Sequence, residues 1–308
     1  MRLVMDPLGM VAEVVELESL KRWSQIPPVH HLTDYSAIGE EQKHTTSPFP
    51  YNPAINDKIA LWMGDISLLY VDAIVNSTNE SMTERNPISD RICARAGPGL
   101  KEEIRQEVKV DSPLDLYSLL FGFFTECRTG EVRVTQGHNL PARYVIHTVG
   151  PKYNLKYQTA AENTLHACYR NVLQKACELN LSTVALGVVN SVRRNFPPDE
   201  GAHIALRKFP LNKFIFIGTV RRFIEQHGNS LDLIILVVEN IDVGIYEVLL
   251  PLYFPRSIQE EETALWQLPA NIGGPEGEPM LPDRQIRIID NPQHSLDGKF
   301  MFLCNLKN

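Results

Sequence analysis

Four consecutive polar residues give the first indication of a functional site in this sequence. Asn76-Ser77-Thr78-Asn79 follows Ala73-Ile74-Val75, a short apolar run typical of a buried strand. Asparagine, serine and threonine side chains hydrogen-bond to nearby backbone and favour turns, so we expect the strand to end here. Pro87 then marks the start of a helix, with Ser89 as its expected N-cap. A strand that ends in a polar loop ahead of a helix is where an open α/β sheet binds anions, although an ordinary βα connection has the same pattern.

The cysteines and histidines form no pattern known from metal sites or nucleophilic enzymes. The sequence contains five cysteines without a C-x-x-C pair, and His30-His31 is an adjacent pair rather than a pair at ligand spacing. There is no H-E-x-x-H motif, so a zinc hydrolase has no support. We therefore predict reduced thiols, no metal and no cofactor.

Length and charge restrict the class of protein. A chain of 308 residues can form one sizeable domain with tails or two small domains. Its net charge of −7 argues against a general nucleic-acid binder, while a local basic patch stays compatible with it. Asp6-Pro7 interrupts the apolar N-terminus of a signal peptide, and no run approaches the ~20 apolar residues of a membrane helix. We expect an intracellular protein, cytoplasmic or nuclear, with no transmembrane segment.

Several longer motifs are similar to those of one protein family and occur in the family's order. The motifs are Gly64-Asp65-Ile66, V-D-A-I-V-N-S-T-N at 71–79, Ala96-Gly97-Pro98, C-R-T-G-E at 127–131, and L-P-A-R-Y-V-I-H-T-V-G-P at 140–151. Between about 58 and 254 the sequence resembles the macro domain, an α/β module that binds ADP-ribose. The resemblance implies a three-layer α/β/α sandwich around a mixed central sheet. The alternation of apolar runs with long helical patterns independently favours this α/β class.

The resemblance also implies roles for individual residues. Asp65, with Ile66 beside it, matches the carboxylate that accepts the adenine amine, and Asn79 matches the asparagine that contacts the distal ribose. Read from the residues alone, Asp65 could equally be a helix N-cap, and Asn76 and Asn79 could simply stabilise a turn. The predicted ligand-binding residues are Asp65, Ile66, Asn76, Asn79, Ser191, Val192, Arg193, Arg194, Asn195 and Phe196.

Both predicted phosphate loops depart from the family pattern. The family's glycine run falls on 84–87, where Pro87 has no backbone N–H to offer. In the second loop, bulkier Val192 and Asn195 stand where the family has glycines, and Arg194 replaces a tyrosine. Positive charge would come to the entrance of this site from Arg85, Arg193 and Arg194, unless these side chains form only a solvated rim.

Three functions remain open on this evidence. The first is a binding module, without turnover, for an ADP-ribose-like nucleotide or a polynucleotide. The second is an ADP-ribosyl hydrolase, but Ser89 matches the position of a carboxylate that family hydrolases keep. The third is a degenerate macro domain that acts as a protein-interaction scaffold, with protein partners that the sequence does not identify. We favour the first and predict no ADP-ribosyl hydrolase activity.

We divide the chain into a poorly ordered N-terminal arm at 1–46, a macro domain at 47–256 and a linker-like tail at 257–308. The tail is rich in charge, proline and glycine. No further folded domain is expected within these 308 residues.

Two apolar segments, 109–125 and 208–218, interrupt the family pattern. They could be added docking elements, or non-native insertions such as translated introns, and we favour the second explanation. Since the elements on either side already complete the fold, we expect both segments to lie outside the sheet, at the surface and with little order.

Overall fold

The central sheet defines the architecture of the protein. The computed structural model describes residues 3–5, 11–28, 47–110, 127–152, 155–189, 211–240, 242–268, 272 and 274–278. The strands in these residues are β1 (Leu3–Met5), β2 (Val11–Glu13), β3 (Ile59–Met63), β4 (Ala73–Thr78), β5 (Val132–Gln136), β6 (Tyr144–Val149), β7 (Thr183–Gly187) and β8 (Leu233–Val238). Strands β3 to β8 form one sheet in the order β3-β8-β7-β4-β6-β5. All neighbours are parallel except β5 and β6, so the sheet is mixed, as predicted.

Helices cover both faces of this sheet. They are α1 (Pro53–Asn56), α2 (Pro87–Ala96), α3 (Pro98–Val110), α4 (Gln158–Glu178), α5 (Leu211–His227), α6 (Val243–Tyr253) and α7 (Ile258–Gln267). Helices α2 and α3 contribute Ile92, Leu100 and Ile104 to the core on one face. Helices α4, α5 and α6 contribute to the core on the other face. The three-layer α/β/α prediction is therefore confirmed.

The side chains of β8 show why the sheet is covered on both faces. Ile234, Leu236 and Val238 belong to the core under α4 to α6. Leu233, Ile235 and Val237 belong to the core under α2 and α3. Successive side chains of a strand point to opposite faces, so a continuous apolar run needs a helical layer on each side. No helix among the described residues is long and apolar enough to span a bilayer.

The N-terminal arm is better ordered between residues 11 and 28 than we expected. The amide of Val15 donates to the Leu68 carbonyl at 2.9 Å, and the amide of Tyr70 donates to the Val15 carbonyl at 3.0 Å. Trp23 is 2 % exposed, and its Nε1 donates to the Phe254 carbonyl at 2.7 Å. The buried apolar residues of the arm are irregularly spaced, so they give no periodic signal in the sequence. Positions 29–46 lie outside the described residues.

The second apolar segment also differs from the expectation. Its described residues, from Leu211 onward, lie outside the sheet, but they form the first turns of α5 rather than a surface segment of little order. Ile217 is fully buried in the core with Val220. The helix begins directly after Pro210, which cannot occupy a helix interior. Most of the first segment, 111–125, lies outside the described residues.

The tail begins with a helix and not with a linker. The Ser257 hydroxyl accepts a hydrogen bond from the Glu260 amide at 3.1 Å and caps α7. Ala264 of this helix packs into the core. In the sequence, the run Glu260-Glu261-Glu262 resembles a disordered charged stretch. In the structure it lies at a helix N-terminus, where negative charge interacts favourably with the helix dipole. The linker prediction is therefore wrong for 258–267.

Candidate functional site

The candidate site lies where β3 and β4 end. Strand β3 leads into Gly64 and Asp65, followed by a 3₁₀ turn at Ile66–Leu68. Strand β4 leads into the loop that precedes α2. It runs on to Thr78, beyond the predicted end at Asn76, because Asn76, Ser77 and Thr78 pair with residues 147–149 of β6. Parallel strands end at a common edge, so the topology brings the predicted residues of both segments to one edge of the sheet.

Asp65 is the N-cap of the 3₁₀ turn, and Ile66 next to it is buried in the core. The Oδ1 of Asp65 accepts hydrogen bonds from the Ser67 amide at 3.1 Å and the Ser67 hydroxyl at 2.6 Å. The capping role considered from the sequence is therefore present. It leaves Oδ2 as the oxygen that Ser67 does not use.

Two arginines of α2 face Asp65, and sequence reasoning missed both. Nη1 of Arg95 donates to Asp65 Oδ2 at 3.0 Å and also to the Ser67 hydroxyl. Nε of Arg91 lies 3.6 Å from Asp65 Oδ1, beyond hydrogen-bond distance. The Arg95 side chain is 10 % exposed and the Arg91 side chain 45 %. Their i, i+4 spacing, which places them on one helix face, was the available signal.

These contacts determine the charge state of Asp65. Burial by itself would raise the pKa of Asp65, but hydrogen bonds from Ser67 and Arg95 outweigh burial and place the pKa below its usual value. Asp65 is consequently an anion at neutral pH. With two arginines beside it, this end of the site carries a net positive charge.

Asn76 lies beneath the site in a chain of buried polar groups. Its Nδ2 donates to the Ser89 hydroxyl at 3.3 Å and to Nδ1 of His147 at 3.2 Å, while Nε2 of His147 donates to the Thr135 hydroxyl at 2.9 Å. His147 is fully buried, which lowers its pKa to about 4 and keeps it neutral. The 1 % exposure of Asn76 makes it a support of the site more than a surface contact.

Asn79 organises the loop after β4. Its Oδ1 accepts hydrogen bonds from the Thr83 amide at 2.8 Å and the Ser81 hydroxyl at 3.3 Å. Its backbone carbonyl accepts from the Met82 amide at 2.9 Å. Asn79 therefore has the turn-stabilising role considered from the sequence. Any ligand hydroxyl would compete with Thr83 for the Asn79 Oδ1.

The N-cap of α2 is Asn86. The prediction of Ser89 as the N-cap is wrong. The Asn86 Oδ1 accepts from the Ser89 amide at 2.8 Å, and its Nδ2 donates to the Ser77 carbonyl at 3.2 Å. Pro87 occupies the first helical position, where its missing N–H has no cost. Ser89 is 2 % exposed, so it points into the protein rather than into the site. Arg85 forms an ion pair with Asp90 at 3.5 Å.

The second predicted loop lies outside the described residues. Ser191, Val192, Arg193, Arg194, Asn195 and Phe196 therefore remain predictions. In the last described residue before this loop, the Val189 amide donates to the Tyr169 hydroxyl at 2.9 Å, and the Val189 carbonyl accepts from the Ser77 hydroxyl at 2.7 Å. Val189 thus lies beside the end of β4. Among the described residues, no group of histidine, cysteine and acidic side chains could hold a metal ion.

Comparison with known proteins identifies the class to which this fold and site belong. The macro domain family model matches residues 75–205. The crystal structure of the ganglioside-induced differentiation-associated protein 2 macro domain is 40% identical, with a TM-score of 0.62, and the match covers 80% of this chain and 100% of that one. The chain belongs to the macro domain family.

Curated relatives point to one group within this family. "Protein GDAP2 homolog" of Nematostella vectensis is 45% identical over 95% of this chain and 53% of its own length. Human ganglioside-induced differentiation-associated protein 2 is 44% identical over 94% of this chain and 52% of its own length. The chain therefore spans about half the length of the curated relatives that it matches. The Trypanosoma brucei macrodomain, solved in complex with ADP-ribose, is 27% identical with a TM-score of 0.53, and the match covers 77% of each chain.

Proposed function

We propose that this protein is a non-catalytic binding module for an ADP-ribose-like nucleotide or a polynucleotide, and that its affinity for ADP-ribose alone is weak. The ligand class is supported by membership of the macro domain family and by the Trypanosoma brucei macrodomain, which has been solved with ADP and with ADP-ribose. Asp65 contacts the base, and arginine charge attracts the phosphates.

The weak affinity is inferred from the backbone N–H groups after β4, which donate hydrogen bonds to nearby residues of the protein. A diphosphate cradle needs several backbone N–H groups that point outward. Here the amides of Met82 and Thr83 donate to Asn79, and the amide of Ser89 donates to Asn86. Each lost donor to a bound anion costs ~1.5–3 kcal/mol, so two or three such losses change a micromolar affinity into a millimolar one.

Absence of turnover is supported by the position of Ser89. A hydrolase of this family needs a group that orients or activates water at the distal ribose. Ser89 occupies the position of that group, but its hydroxyl lies in the interior and accepts a hydrogen bond from Asn76. Asp90, the next residue, is paired with Arg85. Neither side chain is arranged to serve as the base.

Binding is tested by NMR titration of the 308-residue protein with ADP-ribose and with a short oligo(A) strand, at low and high salt. We expect millimolar affinity for ADP-ribose and a strong weakening of oligo(A) binding by salt, because exposed charges are screened over ~8 Å at physiological ionic strength. The double change Arg193→Ala/Arg194→Ala should reduce binding of both ligands. A matched control, Arg105→Ala/Arg143→Ala, removes the same charge away from the site. Tight, salt-independent ADP-ribose binding that survives the first double change would contradict the proposal.

Catalysis is tested by incubating the protein with an ADP-ribosylated protein and measuring the ADP-ribose released. We expect release no faster than in buffer, because no described side chain is placed to activate water. Turnover that disappears in Asn79→Ala, while that variant still melts cooperatively, would show that the protein is a hydrolase.

A further inference from the structure

The contacts around Asp65 restrict how its carboxylate can meet a ligand. An ionised carboxylate offers about four lone pairs to donors. The Ser67 amide and hydroxyl occupy both positions on Oδ1, and Arg95 occupies one on Oδ2. The contacts of the described residues leave one lone pair on Oδ2, so Asp65 can accept a single N–H from a ligand.

We propose that Ser67 determines the base specificity of this site by occupying Asp65 Oδ1, so that Asp65 keeps a single acceptor position, on Oδ2, which suits adenine and not guanine. This inference rests on the proposed function, in which Asp65 meets the base. Adenine presents one exocyclic amine, and a single lone pair satisfies the N–H it directs at the carboxylate. Guanine presents the adjacent N1–H and N2–H groups, which need two carboxylate oxygens side by side. Guanine would therefore bury an unpaired donor here.

The geometry makes Arg95 and Ser67 a closed unit. Arg95 Nη1 donates to both Asp65 and Ser67, and the Ser67 hydroxyl donates in turn to Asp65. The Arg95 side chain is nine-tenths buried and Ser67 is 1 % exposed, so neither yields easily to a ligand. Both residues act through Asp65 and are positioning residues.

Arg91 provides the internal comparison. It carries the same charge on the same helix face, but at 3.6 Å it makes no hydrogen bond to Asp65, and its side chain is 45% exposed. Removal of Arg91 changes the local charge without freeing a lone pair. It should weaken ADP and GDP binding equally, while removal of the Ser67 hydroxyl should change the ratio between the two affinities.

The experiment measures ADP and GDP affinities by NMR titration for the wild-type protein and for Arg95→Met, Ser67→Ala and Arg91→Met, with thermal melting of each variant. The wild-type protein should prefer ADP by about tenfold, a modest value for discrimination by a bidentate pair. In Ser67→Ala the ADP-to-GDP ratio should fall several-fold, chiefly through tighter GDP binding, because an acceptor position on Oδ1 becomes free beside the one on Oδ2. Arg95→Met frees a second position on Oδ2 but none on Oδ1 and should leave the ratio unchanged. Ser67→Ala keeps the buried ion pair between Arg95 and Asp65, so it is expected to fold.

The outcomes separate this inference from the proposed function. Binding of ADP without preference over GDP, or a ratio that Ser67→Ala leaves unchanged, overturns the inference alone. A fall in the ratio with Arg91→Met of the same size also overturns it, because charge would then be the cause. No response to ADP, GDP or ADP-ribose by any folded variant overturns the proposed function and the inference with it.

Discussion

At the scale of single residues, Arg221 joins three parts of the chain from one buried position. Its Nε donates to Glu225 at 2.6 Å, Nη1 to the Tyr253 carbonyl at 2.8 Å, and Nη2 to the Pro50 carbonyl at 2.9 Å. Its guanidinium also lies 5.5 Å from the centre of the Phe254 ring. Burial lowers the pKa of Arg221, and the Glu225 carboxylate opposes that shift. The planar guanidinium satisfies acceptors in three directions with donors on three nitrogens in a fixed fork.

Arg221→Met should therefore destabilise the domain strongly. The change removes the Arg221 donor from the buried Tyr253 carbonyl and the part-buried Pro50 carbonyl, and it removes one of the two arginine partners of Glu225, at a cost of about 3 kcal/mol. Arg222→Met is the matched control, since Arg222 contacts the same Glu225 from the next position but is 21 % exposed. We expect the control to cost about 1 kcal/mol or less. Urea unfolding curves measure both values, and equal losses would contradict the role given to Arg221.

Residue types at the site were easier to predict than their partners. The positions of Asp65 and Asn79 could be identified because motif matching depends on local sequence. The pairing of Asp65 with Arg95 joins residues 30 positions apart, and it exists only because α2 packs on the 3₁₀ turn. Ser89 was mistaken for the N-cap because Asn86, with Pro87 between them, offers an equally good cap.

At the scale of elements, residues 11–28 act as a strap along the edge of the domain. Val15 is bound next to the turn that carries Asp65, and Arg22 bridges to Ala60 of β3, an edge strand. Further along, the Trp23 ring lies against the Arg256 guanidinium at 4.3 Å. The strap covers an edge that would otherwise expose unpaired backbone groups.

Removal of the Trp23 anchor should destabilise the protein much more than removal of an exposed tryptophan. Trp23→Ala loses a buried ring and its hydrogen bond to Phe254, at a cost of about 3–5 kcal/mol. The control is Trp266→Ala, because Trp266 is 69 % exposed on α7 and should change stability by about 0.5 kcal/mol or less. Thermal melting of both variants tests the pair. A Trp23→Ala variant as stable as the control would show that the strap is dispensable.

Sequence periodicity predicted those elements whose pattern is long or uniformly apolar. Strand β8, Leu233–Val238, is predictable from the sequence because its continuous apolar run is typical of a strand buried on both faces. The strap is not, since its contacts are made one residue at a time. Helix α5 is predictable only in part, because the sequence before Thr219 matches no family pattern, although it can propagate a helix that packing stabilises.

At the scale of the whole molecule, the protein should be sensitive to mild acid. The pKa of His147 lies near 4 in the folded protein because of burial, whereas an unfolded chain has the ordinary value of 6.5. Between these values the unfolded chain binds the proton and the folded protein does not, so stability falls as pH decreases. A difference of this size is worth about 3 kcal/mol. Asp65 and Asp72, whose pKa values are lowered, lose their contributions only at lower pH.

The loss in free energy of unfolding between pH 6.5 and pH 4 should therefore be smaller by about 3 kcal/mol in His147→Gln than in the wild-type protein. The variant will be less stable at neutral pH, so the pH dependence and not the absolute stability is the readout. His227→Gln, which changes an exposed histidine on α5, is the control and should keep the wild-type pH dependence. Urea unfolding at several pH values gives the slopes. A His147→Gln variant with the wild-type slope would assign the acid sensitivity to other groups.

The placement of β3 has a consequence for how the protein is made. Strand β3 is the first strand of the central sheet to be synthesised, yet its sheet partner is β8, the last, with Ile59 opposite Ile234. At ~5–20 residues per second, a ribosome needs roughly 10–35 s to produce the intervening chain. During this interval the apolar residues of β3 have no permanent neighbour, and the order in which the sheet closes is set by translation. Slow codons between these strands would lengthen that exposure, and a chaperone that holds extended apolar segments would find its binding site at the beginning of the domain.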